Sequence, residues 1–272
     1  MDKKIGFIGA GSMAESVISG IVNAEILPSE HIMATNKSNQ ERLDKLESDY
    51  RIRTVNDTKQ MVAESDIIIL ATKPHDVEAT IDSIKEVIKD GHMLISVSAG
   101  IPTDYISSLI GNQDIPIIRA MPNTSAAVRQ SATAIAAGKY ADEAHVKETE
   151  NLFNTIGSTT IVKEEDMHTV TGVSGSGPAY FYYMVEAMEK AAVESGLAEE
   201  TARELITQTV VGVGAMLQYS EEPASELRKK IMSPNGTTQA GIEALQHHNF
   251  EDLIIECVKT ASQRSRELGD GK

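Results

Sequence analysis

The sequence predicts a chain in two parts, an α/β N-terminal half on a mostly parallel, doubly wound sheet and an all-α C-terminal half. Three observations predict this. Short apolar runs alternate with stretches of helical spacing from residue 4 to residue 163; strands alternating with helices build a parallel sheet covered on both faces. The first apolar run ends in the glycine-rich turn GAGSMA at 9–14. After GSTTIVK (157–163) strand signals cease, and everything from Glu164 onward has helical periodicity. The 272 residues suit two domains better than one core, and the expected division is 1–163 and 164–272, with the change near 162–166.

KIGFIG (4–9) reads as a strand, and AGSMAESVISGIV repeats apolar residues at helical spacing. HIMATN (31–36) is a second strand and NQERLDKLESD (39–49) a polar-faced helix. SDIIILATKP (65–74) holds the clearest buried strand, a run of aliphatic residues with few polar breaks. VEATIDSIKEVI (77–88) is helical, and GHMLISVSAG (91–100), DIPIIRAMPN (114–123) and SATAIAAG (131–138) are strands. The second half offers helices in GPAYFYYMVEAMEKAAVESG, EETARELITQTVVGVGAMLQYS, PASELRKKIM, TTQAGIEALQ and FEDLIIECVKTASQRSREL. LITQTVVGVGAML is apolar around much of its circumference, and such a helix needs partners on more than one side. Its two glycines each lower helix propensity by about 1 kcal/mol, a cost that close helix–helix approach offsets. A homodimer built through this half is expected.

Composition narrows the function. With 25 basic and 40 acidic side chains the formal charge is −15, which argues against nucleic acid or an anionic membrane as partner. There is no Trp, so base-stacking platforms are disfavoured too. The single cysteine, Cys257 in LIIECV, can form no intramolecular disulfide and reads as a small core hydrophobe. No apolar run approaches the ~20 residues of a membrane span. The opening MDKKIGFIG passes straight into a strand without a signal-peptide core. A cytoplasmic protein with a small-molecule substrate, no membrane and no bound metal is expected.

GAGSMA reads G-x-G-x-x-A between strand and helix, the context of a dinucleotide-binding Rossmann turn. Gly9 permits the tight turn, Gly11 lets a pyrophosphate approach the backbone, and Ala14 allows close helix–strand packing. Gly9, Gly11, Ser12 and Met13 are therefore candidate cofactor contacts. At the end of the second strand an NAD enzyme tends to place Asp or Glu on the ribose; here stand Ala34, Thr35, Asn36, Lys37 and Ser38. Lys37 with Asn36 offers a cation and donors to a 2′-phosphate, so NADPH is expected, with NADH as the alternative. Other strand ends bring Thr72, Lys73 and Pro74, and Ser98 and Ala99, to the same rim.

Two segments of the helical half carry chemistry. In and just after TGVSGSGPAYFYYM (171–184), Phe181 and Val185 stand where β-hydroxyacid dehydrogenases use their lysine and asparagine, so that chemistry loses its acid–base group. SPNGTTQAGIEAL (233–245) opens a helix with many exposed donors. Either Thr237 or Thr238 is a plain N-cap, or the free amides receive an anion.

Taken in order, IGFIGAGSMA, ILATKP, IIRAMPNTSAAV, VSGSGPAYFY and SPNGTTQAGIEAL resemble pyrroline-5-carboxylate reductases across nearly the whole chain. That resemblance implies reduction of a cyclic imine to L-proline with NAD(P)H, the last step of proline biosynthesis, by a Rossmann domain and a helical dimerisation domain. It places the substrate-carboxylate loop on Ser233, Asn235, Gly236, Thr237 and Thr238. It puts Thr238 near the imine nitrogen, Glu164 on the substrate side and Asn56 on the cofactor side; Thr238 and Glu164 are the expected catalytic pair. His168 and Tyr180 suit core or capping roles. Two departures stand out: Asn235-Gly236 replaces the family's Gly-Gly, and Lys230 occupies a position where an uncharged amide is common. The competing readings are an NADP-dependent oxidoreductase acting on another imine, keto acid or deazaflavin, and a non-catalytic NADP sensor.

Overall fold

A computed structural model describes residues 3–111 and 114–270. Its elements follow in chain order as β1 (Ile5–Ile8), α1 (Ser12–Asn23), β2 (Ile32–Thr35), α2 (Gln40–Tyr50), β3 (Arg53–Thr54), α3 (Thr58–Glu64), β4 (Ile67–Leu70), α4 (Val77–Ile84), β5 (Met93–Ser96) and α5 (Thr103–Ile110). Then come β6 (Ile117–Met121), β7 (Ser131–Ala137), α6 (Glu143–Phe153), β8 (Gly157–Ile161) and the short α7 (Met167–Val170), which runs into a π-turn over Thr171–Gly175. The helices α8 (Gly177–Glu194), α9 (Glu199–Tyr219), α10 (Ala224–Lys230), α11 (Thr237–His247) and α12 (Phe250–Asp270) complete the chain.

The strands form one sheet in the order β3-β2-β1-β4-β5-β6-β7-β8. It is parallel from β3 to β6; β7 runs antiparallel to β6, and β8 parallel to β7. Period-2 alternation sorts its side chains onto two buried faces. Phe7, Ile67, Ile69 and Ile95 join one apolar cluster, while Ile8, Ile68, Leu70 and Leu94 join the other. All four residues of β4 are fully buried, which accounts for the unbroken IIIL run, since a strand covered on both faces has no polar side. Burying each such side chain is worth about 1.5–3 kcal/mol. The chain returns from β3 to the far side of β1 to form β4, so the order reverses at β1, the position where ligands bind in open α/β sheets.

Local chemistry starts the helices around that point. Asn39 caps α2 by accepting from the Arg42 amide at 2.9 Å, and Asp57 caps α3 from Lys59 and Gln60 at 2.9 and 3.2 Å.

Packing divides the chain into two compact units, Met1–Ser176 with Lys259–Lys272, and Gly177–Val258. The second half of α12 therefore belongs to the sheet-bearing unit, where His168 Nδ1 and Ser265 Oγ lie 3.0 Å apart; His168 ties α7 to α12. In the other unit α8 and α9 leave large apolar side chains uncovered, among them Phe181, Tyr183, Val211, Met216 and the 88 % exposed Tyr219. This is the wide apolar coverage that the sequence predicts needs a partner. Cys257 is a free thiol and half-buried, not the core residue expected, because α12 in this single chain is covered only partly there. Among the described residues no helix is long and apolar enough to cross a membrane.

Candidate active site

The carboxyl ends of β1, β2 and β4 enclose a cleft of about 920 Å³. Backbone bonds tie those ends together: Gly9 N donates to Thr35 O at 3.0 Å and Ala71 N to Ile8 O at 2.9 Å. Gly9 has φ +106°, and a Cβ there would lie 2.5 Å from the Ala71 carbonyl oxygen, so glycine is required twice over. Around Gly11 the space is open: a Cβ there would meet no atom of the described residues within 4 Å. No side chain caps the start of α1, which leaves its first amides directed at that space.

Of the residues expected to hold the cofactor, Gly9, Gly11, Asn36, Lys37, Asn56, Thr72 and Lys73 line this one cleft. Lys37 and Lys73 are exposed and make no ion pair among the described residues. Two free cations on a chain of net charge −15 are placed where phosphates would be received. Thr72 Oγ1 is buried without a hydrogen-bond partner among the described residues, a donor left over for a ligand. An open glycine turn, unpaired lysines and an orphaned hydroxyl fit a phosphorylated dinucleotide.

The other five expected contacts do not line the cleft. Ser12 is exposed at the start of α1, and Met13 packs on the core cluster. Pro74 opens a 3₁₀ turn. Ser98 is buried and donates to Thr72 O at 2.8 Å, so its hydroxyl proton ties the segment after β5 to the one after β4. Ala99 packs against the small apolar cluster around Met121 and Met167. Sequence reasoning missed Thr35, Thr58, His75 and Asp76, which line the cleft. Thr58 was the findable one, because Asp57-Thr58 before an apolar helical pattern signals a helix start at the sheet rim; Thr35 and Thr58 Oγ1 lie 3.3 Å apart.

Glu164 stands just beyond β8 and places Oε1 2.8 Å from Nη1 of Arg119, which is 1 % exposed in the middle of β6. Glu164 Oε2 and Arg119 Nε and Nη2 are buried without partners among the described residues. The motif IIRAMPN brought Arg119 into view, but nothing in the sequence linked it to a carboxylate 45 residues later.

In the helical unit, Ser233-Pro234-Asn235-Gly236 forms a turn closed by Gly236 N donating to Ser233 O at 3.0 Å. Proline at its second position and φ +58° at Asn235 match a type II turn, which asks for Gly or Asn at its third. The Asn235 departure is thus accommodated. α11 begins after Gly236 with no side-chain cap, so neither Thr237 nor Thr238 does the plain capping work. Gln239 Oε1 instead accepts from Asn235 N at 2.9 Å, and Gln239 Nε2 donates to Glu243 at 2.7 Å. The first-turn amides of α11 therefore stay open to an anion. Lys230 pairs with both oxygens of Glu222, at 2.5 and 2.7 Å, so its charge is already met.

Comparison with known proteins adds the following. Residues 164–268 match the family model described as pyrroline-5-carboxylate reductase dimerisation, and residues 4–100 match that of NADP oxidoreductase coenzyme F420-dependent. A pyrroline-5-carboxylate reductase of Bacillus subtilis is 47 % identical over 98 % of this chain and 95 % of its own. Among solved structures, a pyrroline-5-carboxylate reductase from Coxiella burnetii superposes with TM-score 0.91 at 32 % identity, covering 98 % of this chain and 99 % of the other. A Plasmodium falciparum pyrroline carboxylate reductase with NADP bound reaches 0.88 at 28 % identity, covering 98 % of each chain.

Proposed function

The chain belongs to the pyrroline-5-carboxylate reductase family, and from that premise we infer that it reduces L-1-pyrroline-5-carboxylate to L-proline with NADPH, closing proline biosynthesis. It works as a homo-oligomer through its dimerisation segment. What carries the reading is that one chain holds both an open glycine turn at the sheet's switch point and an uncapped helix start behind a Ser-Pro-Asn-Gly turn.

The substrate is a ring bearing one carboxylate and one imine. Backbone amides of Thr237 and Thr238, with the partial positive end of α11, hold the carboxylate; a helix N-terminus contributes about 0.3–1 kcal/mol toward an anion at an exposed site. The Ser233 hydroxyl adds a donor at the same turn. Thr238, half-buried one residue into the helix, orients the imine nitrogen and relays its proton. Glu164 favours the protonated imine, its charge partly offset by Arg119. Gly9, Gly11, Asn36, Lys37, Asn56, Thr72 and Lys73 hold the dinucleotide, with Lys37 and Asn36 toward the 2′-phosphate. When bound, NADPH supplies the hydride for the imine carbon. Protonation already makes that carbon electrophilic, so the protein's contribution is chiefly positioning, an effect that can reach about 7–11 kcal/mol.

The division that accompanies this reading is an NADP-binding domain over 1–163 and a substrate-binding and dimerisation domain over 164–272. It is supported by the end of the sheet at Ile161 and the start of the dimerisation match at 164. A biosynthetic enzyme using NADPH belongs in the cytoplasm. The test is NADPH oxidation with pyrroline-5-carboxylate and chromatographic detection of L-proline, repeated with Ser233→Ala and Thr238→Ala. Weaker proline inhibition in both variants is expected; parent-like turnover and proline binding in both would remove the loop from the site.

A further inference from the structure

α1 and α2 are joined by a charged cluster on the side of the dinucleotide turn. Arg42 of α2 donates from Nε to the Ala10 carbonyl at 2.8 Å and pairs through Nη2 with Glu15 of α1. The other oxygen of Glu15 takes Lys45 Nζ at 2.8 Å, and Tyr50 Oη stands 3.5 Å from it. Arg42 and Glu15 side chains are only 23 % and 21 % exposed. Ala10, between the two glycines, is buried.

A trans peptide points its C=O and N–H in opposite directions across one plane. The Ala10 carbonyl and the Gly11 N–H share such a plane. Holding the carbonyl toward Arg42 therefore aims the Gly11 N–H the other way. That amide has no acceptor among the described residues, and space beside Gly11 is open. Gly11 on its C-terminal side leaves this peptide less steric restraint than a residue with a Cβ would. A peptide free to flip would turn a carbonyl oxygen, a repulsive group, toward a pyrophosphate. We propose that Arg42, anchored by Glu15, is a positioning residue that holds the Ala10–Gly11 peptide with its N–H presented to the dinucleotide's pyrophosphate. This rests on the NADPH reading above. Arginine suits the task because its planar fork bonds a carbonyl and a carboxylate in one geometry; lysine, a single-point donor, holds one of them. The rival is a plain tie between two helices, which would support every part of the cofactor site equally.

The test measures affinity for NADPH by its own fluorescence, and for adenosine 2′-monophosphate, which has the 2′-phosphate but no pyrophosphate, by competition. Arg42→Gln is expected to weaken NADPH about tenfold, the scale of one lost hydrogen bond to a charged group, while 2′-monophosphate affinity changes less than about twofold. KM for NADPH should rise more than kcat falls, Arg42→Lys should recover part of the loss, and amide exchange at Gly11 should quicken in the ligand-free variant. Glu15→Gln should show the same pattern more weakly and serves if Arg42→Gln does not fold. Equal weakening of both ligands, or unchanged NADPH affinity, overturns the proposal. A parent that binds NADPH but does not reduce the imine would overturn the functional reading and leave this clamp standing.

Discussion

Arg119 Nη1 lies 2.8 Å from Glu164 Oε1, joining a fully buried cation in the middle of β6 to the third residue after the last strand of the sheet. Removing one member of a buried pair strands the other charge and costs about 3–5 kcal/mol, whereas replacing both by apolar groups is often nearly neutral. Glu164→Ala should therefore lower the urea midpoint sharply, and Arg119→Met/Glu164→Leu should restore most of it. If Glu164 also favours the protonated imine, the double variant will fold but stay slow. Parent-like kcat in that well-folded variant would confine Glu164 to structure.

Thr72 presents the opposite case, a buried hydroxyl at the rim of the cleft with no partner among the described residues. Replacing it with valine removes a desolvated polar atom that nothing satisfies, so the ligand-free protein should be as stable as the parent or slightly more. NADPH affinity should fall several-fold. Ser98→Ala should do the reverse: its hydroxyl ties the segment after β5 to the Thr72 carbonyl, and its loss should reduce stability by about 1 kcal/mol. Thermal midpoints with and without NADPH distinguish the two; identical shifts for both variants would count against the assignment of Thr72 to the ligand.

Cofactor selection should follow Lys37, which lines the cleft at the end of β2 with no carboxylate beside it. Lys37→Ala should weaken NADPH but not NADH, because only NADPH carries the 2′-phosphate. The ratio of kcat/KM values for the two is the measurement. A ratio equal to the parent's would take Lys37 out of the site.

His92, buried at the start of β5, gives stability a pH dependence. Burial pushes its pKa below the ordinary 6.5; Lys89 adds to this and Asp66 opposes it. The folded state thus holds His92 neutral where the unfolded chain begins to bind a proton. Stability is intact above pH 6.5 and declines as pH falls below it toward the lowered folded value. Melting temperatures from pH 7.5 to 5 should fall less steeply in His92→Gln than in the parent. A slope unchanged by the substitution would assign the effect to other groups.

The sheet was legible because each strand had a pattern of its own. SDIIILATKP has to be buried on both faces, and GAGSMA after a strand has to be a turn into a helix. Residues 53–64, 103–110 and 143–153 carried no assignment. β3 is only two residues long and shows no period; α6 starts on a capping box whose third helical position is His145, where Glu or Gln is the usual signal. Site residues near the glycine turn could be named because the turn is local in sequence. The Arg119–Glu164 pair and the Arg42 bond to Ala10 could not, since each exists only once separate elements pack. The bond from the Ser98 hydroxyl to the Thr72 carbonyl, just beyond β4, is hidden for a related reason, since no rule of spacing reveals it.

The turn before α11 makes the most demanding prediction, since its shape determines where the Thr237 and Thr238 amides point. At Asn235 φ is +58°, a region that costs most L-residues roughly 1–2 kcal/mol but suits Gly and tolerates Asn. At Gly236 φ is ordinary, yet a Cβ would lie 2.3 Å from Ser233 Oγ and 3.0 Å from Ser233 O. Asn235→Gly should therefore leave proline inhibition within about twofold of the parent, because the backbone angle is kept. Asn235→Ala carries the left-handed penalty and should weaken it by about tenfold, the equivalent of ~1.4 kcal/mol. Gly236→Ala should be worst, since relief of the clash displaces the Ser233 hydroxyl and the first amides of α11 together. KM for the imine should rise in the same order with kcat at saturation falling less. Equal proline inhibition in all three variants would mean that this turn does not hold the carboxylate.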